Sequence, residues 1–322
     1  MGLITSTRAN LERDGYHYGQ EDKCHEAFED RFMPLDAAGM GFFGIVFYAL
    51  TKFDFAVERS LLISDPVRYN SADGLRKVQA VKICNPLCPS GTKASAEYLM
   101  KEIKAMKRVW SEMEECVRHN FVRLCDYSTS NGPWYSMEHV TSGVTLETLY
   151  RTNQAKQSPV IEELAFHLVD QITKACVFLH EKCGIVCADV NRRNIMLRYP
   201  GRETPLMPDV VMIDWSLWEE ANAERVDKDT KDVYESVFPV LFEVGWSCGM
   251  SHDQKTCTVS DAGHSREWLH LYKDMSARQL SLRHLGASVK NTSNESRRRV
   301  SEDCHKADKV QGSKFANESA RA

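Results

Sequence analysis

The run Gly39-Met40-Gly41-Phe42-Phe43-Gly44-Ile45-Val46, apolar on both flanks, restricts this chain more than any other feature. Three glycines at this spacing let backbone N–H groups close around an anion that side chains would hold away. The same spacing opens dinucleotide-binding βαβ units, but there a helix must follow the last glycine. Here the next residues are Ile45-Val46-Phe47-Tyr48-Ala49-Leu50, which predict a strand and hence a glycine-rich hairpin. The apolar, β-branched texture runs from Met33 to Val140 and predicts a small sheet carrying one helix. That helix is marked by Leu99, Ile103, Met106, Trp110 and Met113 at steps of four and three.

From Leu146 the periodicity becomes helical. Leu164, Leu168, Ile172, Ala175 and Leu179 predict a buried helix, followed by short strands at 184–186 and 210–213. A further helix is expected from about Asp229 to Val244, shortened or kinked by Pro239. At 322 residues and 43% hydrophobic content the chain can bury a sizeable core, which excludes a fibrous or wholly disordered protein. The domain is expected to span 31–285, between a polar leader (1–30) and a disordered polar tail (286–322).

Charge and cysteine usage narrow the setting. A net charge of −4 does not suit a polyanion, so nucleic acid is not an expected partner. The longest apolar run, Gly39 to Leu50, is too short to span a bilayer. Met1-Gly2-Leu3-Ile4-Thr5-Ser6 fits a loose acylation pattern, but an acidic stretch follows, so no stable membrane association is expected. Eleven cysteines without paired C-x-x-C spacing suggest a reduced, cytoplasmic or nuclear protein.

Five positions can carry chemistry together. Ala80-Val81-Lys82-Ile83 puts a lysine in the middle of an apolar strand, where it needs an anion to offset desolvation. Glu102, on the flank of the helical stripe, can provide one. In Ile185-Val186-Cys187-Ala188-Asp189-Val190-Asn191-Arg192-Arg193-Asn194 an Asp and an Asn stand in a polar loop between apolar strands. Val210-Val211-Met212-Ile213-Asp214 ends a strand in a second aspartate. Asp189 is a candidate to orient or deprotonate a hydroxyl, while Asn194 and Asp214 are hard oxygen donors for Mg²⁺.

Taken in order, these motifs resemble the eukaryotic protein kinase superfamily over about Leu35 to Val244. His119-Asn120-Phe121-Val122-Arg123-Leu124 is similar to the start of that family's fourth strand, and Met137-Glu138-His139-Val140 to the strand entering its hinge. The resemblance implies an α+β, bilobal fold: a small β-rich N-lobe with one key helix (31–140) and a mainly helical, shortened C-lobe (141–285). It implies ATP and Mg²⁺ as cofactors. Gly39, Met40, Gly41, Phe42, Phe43, Gly44 and Val46 would cover the phosphates. Ala80, Met137, Glu138 and Val140 would surround adenine, Lys82 would contact the phosphates, and Glu102 would hold Lys82. Asp189 would be the catalytic base, Arg193 would add charge near the γ-phosphate, and Asn194 and Asp214 would hold the metal. The implied reaction is transfer of the ATP γ-phosphate to a protein Ser or Thr hydroxyl.

The departures from that pattern define the other readings. Cys187-Ala188 replaces the usual His-Arg before the catalytic Asp, and Asp214-Trp215-Ser216 lacks the usual glycine. Only 18 positions separate Asp214 from Asp232, taken as the aspartate opening the next large helix, with Asp227 and Asp229 as alternatives. That short segment also suits a small-molecule kinase of the aminoglycoside or choline kinase type, or a pseudokinase scaffold that binds nucleotide. The 38 positions between Gly44 and Lys82 imply an insertion between the second and third strands.

Overall fold

The computed structural model describes residues 28–64, 77–130, 132–140, 144–156, 160–199, 207–238 and Leu282. The expected leader up to residue 27, the polar tail and the end of the expected C-lobe (239–281 and 283–285), with the expected helix end at Val244 and the bend at Pro239, lie outside them. The architecture is α+β, built on a five-stranded antiparallel sheet and several helices.

The glycine run forms a hairpin. β1 (Phe32–Met40) and β2 (Gly44–Thr51) pair from Phe32 opposite Thr51 to Met40 opposite Ile45, and the N–H of Gly41 donates to the carbonyl of Gly44 at 2.8 Å to close the turn. α1 (Lys52–Ser64) follows directly and is the insertion expected before the third strand. Thr51 caps it, accepting from the N–H of Asp54 at 3.0 Å and donating to its carboxylate at 2.6 Å. β3 (Gln79–Cys84), β4 (Leu124–Ser128) and β5 (Trp134–Glu138) complete the sheet in the order β1-β2-β3-β5-β4.

The two-residue period of the strands divides the apolar residues between the faces. Ile45, Phe47, Val81, Ile83 and Trp134 form one buried cluster with Phe28 and Phe32, so the core begins at Phe28, inside the expected leader. On the other face Cys84 packs with Leu99, Ile103 and Met106 of α2 (Gly91–Ser111), the predicted amphipathic helix. Trp110 is only half-buried and Met113 lies beyond the helix end, where the 3.6-residue period no longer applies.

The second apolar cluster continues from α2 into the helical half. α3 (Leu146–Lys156) follows the short β6 (Val144–Thr145). α4 (Glu162–Phe178), the helix expected from its periodicity, buries Leu168, Ile172 and Ala175 and ends in a wide turn at Leu179–Cys183, closed by Gly184 at φ +62°. β7 (Ile185–Val186), β8 (Ile195–Arg198) and β9 (Asp209–Met212) then bring the polar loop and the second aspartate together. β8 pairs with β9, Ile195 opposite Met212, and Asn120 and Gln171 hold Val210 by its backbone carbonyl and N–H at 3.0 and 2.7 Å.

After β9, the two-residue β10 (Glu219–Glu220) pairs with β7, and α5 (Ala223–Asp232) begins at once, continuing as Val233–Val237. The helix starts six residues before the expected Asp229, because Asn222 caps it by accepting from the N–H of Arg225 at 2.9 Å. Among the described residues no helix is long and apolar enough to cross a membrane.

Candidate active site

Lys82 shares the parity of Ala80 and Cys84 on β3 and so faces α2 rather than the Phe47 cluster. Lys82 is 6% exposed, and its ammonium lies 2.8 Å from both oxygens of the fully buried Glu102 and 3.2 Å from Oδ1 of Asp214. These partners stand 20 and 132 positions away in the chain. Glu102 is therefore buried beneath the strand, not on the solvated flank of its helix. It also accepts from the backbone N–H of Trp215 at 3.0 Å, tying α2 to the residue after Asp214.

The charges sort unevenly. Burial pushes Glu102 up to about 7 against the pull of Lys82, with the Asp214 carboxylate adding to the rise. Burial also opposes ionisation of Asp214, but Lys82 and the surrounding hydrogen bonds outweigh it and hold that carboxyl down at about 2. Lys82 is raised: burial lowers it, and the two carboxylates more than compensate. The stable pair at neutral pH is thus an ammonium on an ionised Asp214, with Glu102 close to its own titration.

This distribution fixes a pH dependence. Glu102 ionises at 4.5 in an exposed state and at about 7 when folded, so between those values the folded chain holds the extra proton. Its contribution to stability falls as pH rises through that window. In thermal melts, Glu102→Gln is expected to gain on the wild type as pH goes from 4.5 to 7. A difference that does not vary with pH contradicts the assignment.

Of the other strand residues expected around a ligand, Val46, Ala80 and Met137 share the Lys82 face, whereas Glu138, opposite Gln79, lies on the other. Val46 lies opposite Lys82 across β2–β3, and Tyr48, Ala80 and Met137 form a row across β2, β3 and β5. Met137 and Glu138 are partly buried and Val140 is buried. The N–H of Glu138 is taken by the carbonyl of Arg123 at 2.9 Å, and its carboxylate by Arg198 at 2.6 Å.

Gly44 is sterically required: a Cβ there would stand 2.8 Å from Lys82 Cε and 3.0 Å from the carbonyl of Ile83. Above Gly39 a Cβ would meet nothing within 4 Å, and at Gly41 only the Gly44 carbonyl at 3.7 Å. The protein's own packing demands one glycine of the three, and the other two have room for a side chain. Gly44→Ala is expected to cost about 1–3 kcal/mol of unfolding free energy by displacing Lys82, whereas Gly39→Ala leaves the denaturation midpoint nearly unchanged. Phe42 is exposed, while Phe43 stacks on Tyr98 of α2 at 3.7 Å. Asn85 donates to the Gly41 carbonyl at 2.8 Å and Ser95 to that of Phe43 at 2.5 Å, so the turn is fastened to β3 and α2.

In the loop before β8, Asp189 and Asn194 interlock. Asn194 donates its amide to one Asp189 carboxylate oxygen at 2.8 Å and Asn191 to the other at 2.8 Å. With its NH₂ so used, Asn194 keeps its amide oxygen for another partner. The carbonyl of Asn194 accepts from Ile213 N–H at 2.9 Å, so the loop and the residue preceding Asp214 are adjacent. Arg193 is exposed, and its backbone N–H donates to Asn191 at 2.9 Å.

Two non-glycine residues beside these side chains are left-handed, Ala188 at φ +58° and Asp214 at φ +62°. Such a backbone costs about 1–2 kcal/mol and persists only where its surroundings hold it. Asp229 holds the first. Fully buried within α5, its carboxylate accepts from Ala188 N–H at 2.9 Å, Cys187 N–H at 3.2 Å and His180 Nε2 at 2.8 Å. None of Asp232, Asp227 and Asp229 opens the helix, which starts at Ala223; of these three, Asp229 holds the loop from inside it. Its only signal in the sequence was its distance after Asp214.

The donor set suits a hard cation. Asp214 and Asn194 present oxygen donors, and Mg²⁺ is usually held by one or two carboxylates with the remainder from waters and phosphates. Among the described residues no group of three or more His, Cys, Asp or Glu could hold a metal unaided. Comparison with known proteins finds no matching protein-family model and no matching curated protein.

Proposed function

We propose that this chain is a bilobal, protein kinase-like phosphotransferase that uses ATP and Mg²⁺ and transfers the γ-phosphate to a protein Ser or Thr hydroxyl. The observation that carries the reading is the Lys82–Glu102–Asp214 cluster, assembled from β3, α2 and the end of β9 under a glycine-rich hairpin. In this reading the five-stranded sheet with α2 is the N-lobe, and the helical half from about residue 141 the C-lobe. Bound MgATP would supply the phosphoryl group and the cation that offsets its charge.

The chain's own residues then divide the work. Lys82, kept protonated by its two carboxylates, would hold phosphate oxygens under the Gly39–Gly44 hairpin. Asp214 and Asn194 would hold the cation, and ionised Asp214 needs no proton loss to do so. Asp189, fixed by Asn191 and Asn194, would orient the acceptor hydroxyl and take its proton. Val46, Ala80 and Met137 would present an apolar wall to the base. Arg193, exposed in the same loop, would meet the transferred phosphate. Positioning and charge complementarity account for most of such a rate enhancement.

A second acceptor class has an observation of its own. β10 begins five residues after Asp214 and α5 follows it almost immediately, leaving little chain to cradle a peptide. That favours a small hydroxyl compound, as in the aminoglycoside and choline kinases. Labelled γ-phosphate offered with a generic basic protein and, separately, with amino alcohols and aminoglycosides separates the two. Label in the protein supports the first reading and label only in the small molecules the second. No Mg²⁺-dependent binding of ATP and no transfer to any acceptor contradicts both.

A further inference from the structure

The loop that carries Asp189 is tied to the start of α3 by charge as well as by backbone. The N–H of Glu147, the second residue of α3, donates to the carbonyl of Arg192 at 2.9 Å. Its carboxylate gives one oxygen to Arg151 Nε at 2.6 Å and the other to Arg192 Nε. Glu147 is 8% exposed, whereas the Arg151 side chain, one helical turn further on, is 69% exposed. The Arg192 guanidinium lies 4.7 Å from the centre of the Tyr150 ring, which holds it against α3.

The charges here do not cancel. The hydrogen bond from Arg151, with Arg192 beside it, holds the Glu147 carboxyl below its ordinary value, so it is ionised at neutral pH. Two guanidiniums share that one carboxylate. Among the described residues neither pairs with any other, and Arg193, exposed next to Arg192 in the loop, forms no ion pair. Both bonds to Glu147 run through Nε, which leaves the terminal amino groups of the two arginines facing outward bonding partners. The Asp189 carboxylate does not supply one, because its oxygens accept from Asn191 and Asn194 at 2.8 Å each.

We propose that Arg151 and Arg192, with Arg193 adding to their field, bind an acidic side chain of a peptide acceptor close to the hydroxyl presented to Asp189. The role toward an acceptor rests on the phosphotransferase reading; the binding of an acidic peptide does not. Asp189 and Arg192 are three residues apart, so their backbones are separated by at most about 10 Å. An extended peptide covers that distance in about three residues, which puts the acidic side chain within about three positions of the hydroxyl. The planar guanidinium fork matches the paired oxygens of a carboxylate. The same field repels aminoglycosides and amino alcohols, which are cations at neutral pH, and so favours an acidic peptide over the small acceptors.

The test is fluorescence anisotropy of the full chain with fluorescein-labelled Asp-Glu-Ser-Asp-Glu, without nucleotide. Expected are saturable binding that weakens on raising salt and a loss of roughly tenfold in affinity in the Arg151→Gln, Arg192→Gln double variant. The uncharged Asn-Gln-Ser-Asn-Gln peptide should bind more weakly by a similar factor. If the double variant impairs folding, Arg151→Gln alone, which leaves Glu147 its bond to Arg192, gives the same comparison. Absence of saturable binding overturns the proposal, as does equal affinity in the variant or for the uncharged peptide. An oligonucleotide that displaces the peptide with comparable affinity also overturns it. Transfer of labelled γ-phosphate to the two peptides reads the acceptor role: the wild type should favour the acidic one about tenfold in kcat/KM, through KM, and the variant should not. Transfer without that preference overturns the acceptor role and leaves the phosphotransferase reading standing. Acidic-peptide binding in a chain that does not bind MgATP contradicts the phosphotransferase reading and leaves the arginine site standing.

Discussion

Asp214→Asn is expected to reduce Mg²⁺-dependent ATP turnover to below about a thousandth of the wild-type rate. The substitution keeps the shape of the side chain and removes its charge. Asp214 is the carboxyl that Lys82 holds down at about 2, so it is the group ready to meet a cation at neutral pH. Glu102 cannot replace it: it is fully buried, it is pushed up to about 7, and its Oε1 is engaged by Lys82 and the N–H of Trp215. The variant should still fold, because Lys82 retains Glu102 at 2.8 Å and Trp215 stays buried against Phe121. Near-normal melting with lost turnover is the expected pair of results. Turnover within about tenfold of the wild type would remove Asp214 from the metal role.

The second large effect is on stability. Asp229→Ala is expected to cost about 3 kcal/mol or more, because it leaves the N–H groups of Cys187 and Ala188 and the ring of His180 without their acceptor. The left-handed Ala188 would lose the contact that holds it, so the loop bearing Asp189 should loosen as well. Asp232→Ala is the control, since that residue is only partly buried and, among the described residues, the loop's side-chain acceptor is Asp229 and not Asp232. Chemical denaturation of the two variants separates the roles. Equal, small losses would show that the loop does not lean on Asp229.

Much of this arrangement is legible in the sequence, for identifiable reasons. Lys82 announces itself because a cation in an apolar strand demands a partner; the glycine run predicts the hairpin but not that Gly44 alone of the three lies against the Lys82 side chain. The apolar stripe at Leu99, Ile103 and Met106 gives α2 and its buried side. Periodicity places Glu102 beside that stripe but does not show that a sheet covers it, because burial by another element is a tertiary fact. Asp229 is harder still: it sits in the charged stretch Asp227-Lys228-Asp229-Thr230-Lys231-Asp232, where neighbouring acids look alike until the Cys187–Ala188 backbone is brought against one of them. The start of α5 was missed because the cap Asn222 has only polar residues after it and no apolar period to flag the helix. The fastening of the glycine turn by Asn85 and Ser95 depends on side chain to backbone contacts 44 and 52 positions apart, which no local pattern encodes.

Titration calorimetry of ATP into the purified chain, with and without Mg²⁺, tests the central claim most directly when the same titration is run on Asp214→Asn. Saturable binding that requires Mg²⁺ and is lost in the variant is the predicted result. No binding by the wild type, or binding indifferent to both Mg²⁺ and the variant, would contradict the assignment of this cleft to a metal-bound nucleotide.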